Sequence, residues 1–79
     1  MAYPQKRTEW ESRAAAYLKA KIQSADMTYE DFARKMRRHG HAETTGSVTS
    51  KLARGTFPAA WFLAALAALE LPGVSLEEI

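Results

Sequence analysis

The chain contains no cysteine, which excludes a disulfide framework, a thiolate metal site and a cysteine nucleophile together. Its two histidines, His39 and His41, stand two apart in a polar stretch with no third ligand nearby. Helix-borne metal ligands are spaced by three or four, so these two read as exposed loop imidazoles. The longest apolar run, Ala59–Leu69, is shorter than the roughly 20 residues that a helix needs to cross a bilayer. The opening "MAYPQKRTEWE" has no apolar signal core, so no membrane partner and a cytoplasmic location are expected. β-branched residues are few and no apolar/polar alternation occurs, which argues against strands.

The groupings that chemistry requires are also missing. There is no Ser/His/Asp set, no phosphate-cradling glycine loop and no carboxylate cluster with metal spacing. The acidic pairs Glu9/Glu11, Glu30/Asp31 and Glu77/Glu78 lie near expected helix starts, where the helix dipole accounts for them. The expectation is a non-enzyme with no cofactor and no small-molecule substrate.

What remains is 79 residues rich in alanine, enough for one domain on one core. The expected fold is all-α, a compact four- to five-helix bundle over residues 9–79 preceded by a tail at 1–8. Net charge is +2 overall, but residues 1–40 carry +4 and residues 41–79 carry −2. Much of the excess is "RKMRR", with Arg34, Lys35, Arg37 and Arg38, a cluster suited to a polyanion or simply to a solvated face.

Capping signals mark the elements. "TEWE" fits a capping box with Thr8 and Glu11, opening a helix whose inward stripe is Trp10, Ala14, Tyr17, Leu18 and Ile22. "TYED" places Thr28 as the second cap and Asp31 at its third position, with Tyr29, Phe32, Ala33 and Met36 inward. Gly40 is the expected stop. "HAETTGSVTSKLARG" then has five hydroxyl residues and only Val48 and Leu52 as large apolar anchors. Capped by Thr44 or Thr45, it forms a helix to about Arg54, and Gly46, Ser47, Thr49, Ser50, Ala53 and Arg54 turn away from those anchors, with Lys51 on the flank. Such a face suits entry into the DNA major groove, and it equally suits a helix that is only solvated.

Pro58 opens the next helix, which is apolar on every side. Either the first two helices cover all of it, or Trp61, Phe62, Ala65, Leu66 and Leu69 partly face a second copy of the chain. Ser75 caps a closing turn that uses Leu76 and Ile79 as its apolar pair.

The order of these parts resembles the phage-repressor type of helix-turn-helix domain. The likeness runs over residues 27–79 and rests on Phe32-Ala33, Leu52, Arg54-Gly55, Pro58, Val74 and Leu76, with Trp10–Ile22 as first helix. The chain also looks like a group of short uncharacterised bacterial proteins with a "TYEDLA…KLSRGTF"-like pattern, a likeness that brings no activity. Two features depart from the repressor pattern. Ala33 is followed by "RKMRRHGHAETTGS", so the connection is longer by roughly four residues, an extension that costs little. Gly40 comes seven residues after Ala33, where the family has a glycine at about four. The anchors Val48 and Leu52 are four apart instead of three.

The resemblance implies a small transcriptional regulator that binds double-stranded DNA and acts as a homodimer. Ser47, Thr49, Ser50 and Lys51 would approach base edges, Arg54 a base or phosphate, and Lys35, Arg37 and Arg38 the backbone. The alternative is a protein-interaction module on the same scaffold, using the apolar helix at 58–70 and no DNA.

Overall fold

The computed structural model describes residues 3–79, and every element in it is helical. Helix α1 spans Arg7–Ser24, α2 Tyr29–Arg38, α3 Thr45–Arg54 and α4 Ala59–Ala68, followed by a 3₁₀ turn, η1, at Leu76–Glu78. Helix α3 packs on α1 and α2, and α4 packs on α2.

Three caps form as their sequences indicate, the last at Ser75, whose hydroxyl accepts from the Glu77 amide at 3.3 Å. The Thr28 hydroxyl accepts from the Asp31 amide at 3.0 Å, and the Asp31 carboxylate accepts from the Thr28 amide at 3.2 Å. At α3 the Thr44 hydroxyl accepts from the Ser47 amide (3.1 Å) while Ser47 Oγ accepts from the Thr44 amide (2.8 Å). The Thr8–Glu11 box does not form. Helix α1 starts two residues earlier than the sequence suggested, at Arg7, with Lys6 as a cap that makes no side-chain hydrogen bond. Thr8 therefore lies inside the first turn, and Glu11 pairs with Arg7 at 3.7 Å instead of reaching back.

Three helices end in one motif. After α2, the Gly40 amide donates to Arg37 O and the His41 amide to Met36 O, with Gly40 left-handed at φ 85°. The same pair of bonds closes α1 around Asp26 and α4 around Glu70, both at φ 57° without being glycine. A side chain in that region costs roughly 1–2 kcal/mol, so Glu70→Gly is expected to stabilise the domain by about 0.5–1 kcal/mol net of unfolded-state entropy. Thermal unfolding checks this: the midpoint should rise by a few degrees. A lower midpoint would mean that the Glu70 side chain contributes more than its backbone conformation costs.

Gly55 ends α3 at φ 72°, and a β-carbon there would lie 2.6 Å from the Glu11 carbonyl oxygen. This glycine is thus where α3 turns directly against the backbone of α1.

The core joins Leu18 and Ile22 of α1, Phe32 and Met36 of α2, Val48 and Leu52 of α3, and Trp61, Ala65, Leu66 and Leu69 of α4. The Trp61 ring meets Phe32 edge-on at 6.0 Å and Phe57 at 4.8 Å. Several residues expected inside sit further out, Ala14 and Ile79 among them as half-buried side chains. Trp10 is 36% exposed and stacks on Tyr3 (6.1 Å), Tyr29 is half-buried, and Leu76 is 48% exposed. Ile79, the other half of the expected apolar pair, does pack half-buried against the core. The closing turn is also held to α1 by Lys21–Glu78 (3.8 Å) and by Arg13 donating to Ile79 O (3.4 Å).

On α4, the suggested contact residues Trp61, Ala65, Leu66 and Leu69 are buried within the chain, and Phe62 is half-buried beside Phe57 and Tyr17. They are core, because α2 takes up that side of the helix, with Tyr17 of α1 reaching Phe62. The opposite side, with Ala59, Ala60, Leu63 and Ala67, is the exposed one, and Leu63 is 64% accessible.

Candidate nucleic-acid interface

Helix α3 is anchored by Val48 and Leu52, both fully buried. At about 100° per residue, Gly46, Ser50, Ala53 and Arg54 then point away from the core, and all four lie at the surface or near it. Arg54 donates to the Ser50 hydroxyl at 3.2 Å, so the longest side chain on this face lies along the helix. Thr49 donates its hydroxyl to Thr45 O at 2.8 Å, which leaves its methyl group and oxygen lone pairs outward.

The flank toward α4 is organised by a residue for which the sequence carries no signal. Glu43, in the polar connection before α3, is only 4% exposed and is the one buried charged residue among those described. Its carboxylate accepts from Ser47 Oγ (2.7 Å), Lys51 Nζ (2.6 Å) and the Trp61 indole N–H (3.0 Å). Its backbone oxygen accepts from Arg37 at 2.8 Å. Burial opposes ionisation here, but the three donors outweigh it and hold the Glu43 carboxyl below its ordinary value of 4.5. The Lys51 ammonium also lies 5.8 Å from the Trp61 ring centre. Among the described residues, no buried side-chain nitrogen or oxygen lacks a partner.

This arrangement sorts the residues that the sequence grouped together. Ser47, Lys51 and Arg37 converge on Glu43. Ser50 and Arg54 share the outer face of α3, with Thr49 beside them. Arg37 and Lys35 are about 160° apart around α2, so Lys35 leaves the α3 side and joins Arg38 and His39 in a cleft against Ala67, Ala68 and Glu70. Arg38 is exposed between the two flanks.

Two grooves border the outer face. One places Thr56, Phe57 and Pro58 beside Ser50, Lys51 and Arg54. The other places Thr8, Ser12 and Lys19 of α1 across from Ala53, Arg54 and Gly55. Lys19 is the further cation near α3 that the sequence reading left out. Ser12, Ala15, Ala16 and Lys19 recur at helical spacing, yet that line of small and polar residues looks like any solvated face until α3 packs beside it.

Among the described residues there is no group of three or more side chains able to hold a metal ion, and no helix long and apolar enough to cross a membrane. No curated protein and no solved structure matches the chain. The family described as "domain of unknown function (DUF6471)" matches residues 10–74, a stretch that runs from the first turn of α1 to the segment before η1. The chain belongs to that family.

Proposed function

We propose that this domain binds double-stranded DNA with α3 in the major groove, as a small regulator of the helix-turn-helix kind that its sequence resembles. The observation that carries the reading is the outer face of α3. Gly46, Ser50 and Ala53 allow close approach, Ser50 and Thr49 offer hydroxyls, and Arg54 can fork onto guanine or a phosphate. The connection at 39–44 is longer than in repressors but is tied down by the His41 amide to Met36 O and by Arg37 to Glu43 O. A fixed connection supports a fixed presentation of α3. Arg54 and Ser50 are the proposed base-edge or phosphate contacts, with Lys19, Arg37 and Arg38 on the backbone. Ser47 and Lys51 drop out of the contact set because the Glu43 carboxylate engages both, whereas Arg37 donates one guanidinium nitrogen to the Glu43 backbone oxygen and stays exposed.

With four cations on phosphate, log affinity should fall with log salt at a slope of about −3 to −4. Arg54→Ala should weaken binding to a preferred duplex by roughly 1–3 kcal/mol, read by fluorescence anisotropy. An unchanged affinity would remove Arg54 from the interface.

A second reading is favoured by one observation, the exposure of Leu63 among Ala59, Ala60 and Ala67 on an otherwise apolar α4. A helix apolar all round is ordinarily enclosed, so this face suits a protein contact, with a second copy or with a partner helix.

A further inference from the structure

The cluster around Glu43 bears on how strongly the proposed interface attracts a polyanion. Lys51 is one of only two basic residues in α3. It stands on the same helix as the outward Ser50 and Arg54, one residue and three residues away. Yet its ammonium is turned back onto a carboxylate that is itself almost wholly enclosed, at 2.6 Å. Trp61 and Ser47 fix that carboxylate from two other directions, so it cannot swing out to release the lysine. The Lys51 side chain remains partly open to solvent, at 39%. Nothing steric therefore confines the ammonium; the charge of Glu43 does.

We infer that Glu43 is a positioning residue of the α3 interface, one that withholds the Lys51 cation from the DNA backbone and couples the flank of α3 to Trp61 of α4. This rests on the DNA-binding reading and deepens it. Fewer mobile cations on the reading helix lower sequence-independent affinity while leaving the Ser50 and Arg54 contacts unchanged. The ratio of specific to non-specific binding rises accordingly.

The salt dependence of binding separates this from a role in folding alone. Binding of the full chain to a short random-sequence duplex is followed over a range of potassium chloride concentrations. Glu43→Gln keeps the shape and part of the hydrogen bonding but frees Lys51. The slope of log affinity against log salt should steepen by about one, the value for one added phosphate contact. Lys51→Met with Glu43 intact should leave the wild-type slope unchanged, and it remains informative if the Glu43 variant folds poorly. Lys51→Met added to Glu43→Gln should return the slope to the wild-type value. Glu77→Gln, which raises net charge equally at the far end of the chain, should leave it unchanged.

A wild-type slope in folded Glu43→Gln, or a shallower slope in Lys51→Met alone, would overturn the inference while leaving the interface standing. Steepening by Glu77→Gln equal to that by Glu43→Gln would also overturn it, since net charge would then be the cause. Absence of wild-type binding to any duplex at low salt would remove the interface and this inference together.

Discussion

Gly55→Ala is expected to cost about 3 kcal/mol or more, a large part of the roughly 4–12 kcal/mol that a domain this size has. Two effects add. The backbone is left-handed at φ 72°, where a β-carbon costs roughly 1–2 kcal/mol. That β-carbon would also stand 2.6 Å from the Glu11 carbonyl oxygen and 3.0 Å from its carbon, both main-chain atoms that move only if α1 moves. Because α3 packs on α1 at this end, relief of the clash separates the two helices. Gly40 is an internal control. It has the same sign of φ with open space around the site, so Gly40→Ala should show the backbone cost alone. Chemical denaturation of the two variants measures the difference. Equal losses would mean that the close approach to α1 carries no energy.

Removal of Glu43 is the second large effect, expected at about 2–3 kcal/mol for Glu43→Ala. The loss of one partner from a buried pair costs more than the pair itself contributes, because the remaining donors lose their acceptor. Here the Trp61 indole N–H is the donor enclosed most completely, since Trp61 is 2% exposed. Lys51 can turn to solvent, which places the figure below that for a fully enclosed ion pair. The sign with pH follows from the direction of the shift. Glu43 is held below 4.5 in the folded chain, so its contribution is present in full above that value and is lost as pH falls through the lower folded value. Asp31, lowered by its bonds to the Thr28 amide and hydroxyl, adds to the same acid-side loss. Glu43→Ala should therefore unfold more readily at neutral pH yet lose less of its remaining stability on acidification. Wild-type and variant stability curves that stay parallel from pH 7 to pH 3 would contradict the assignment.

The helix order and two of the three long-helix caps can be read from local sequence, because Thr28–Asp31 and Thr44–Ser47 satisfy amides within a single turn. Thr8 offers the same letters, but the helix had already begun at Arg7, and a local signal cannot report what precedes it. The ends at Asp26 and Glu70 are hidden for a similar reason. Neither is glycine, and the motif that closes α1 and α4 is visible only in its hydrogen bonds.

Helix α4 is left open by its sequence for another reason. A segment with alanine or a larger apolar residue at every position has no phase, so periodicity cannot say which side faces inward. The packing sets the phase: Trp61, Ala65, Leu66, Ala68 and Leu69 go in, small and large alike, while Ala60, Leu63 and Ala67 stay out. Of the candidate site, the outward set Ser50 and Arg54 follows from helical geometry alone. The recruitment of Ser47, Lys51 and Arg37 to Glu43 does not, since it depends on Trp61 arriving 18 residues further along the chain.

The most direct measurement is an amide NMR titration of the labelled chain with a short random-sequence duplex at low salt. Shifts are expected at Thr49, Ser50, Ala53 and Arg54, with Lys19 and Arg38 beside them, all reversed by added salt, while Leu63 and Ala67 stay still. A spectrum unmoved along α3, with Leu63 and Ala67 shifting as protein concentration rises, would contradict the DNA reading and give the function to the outer face of α4.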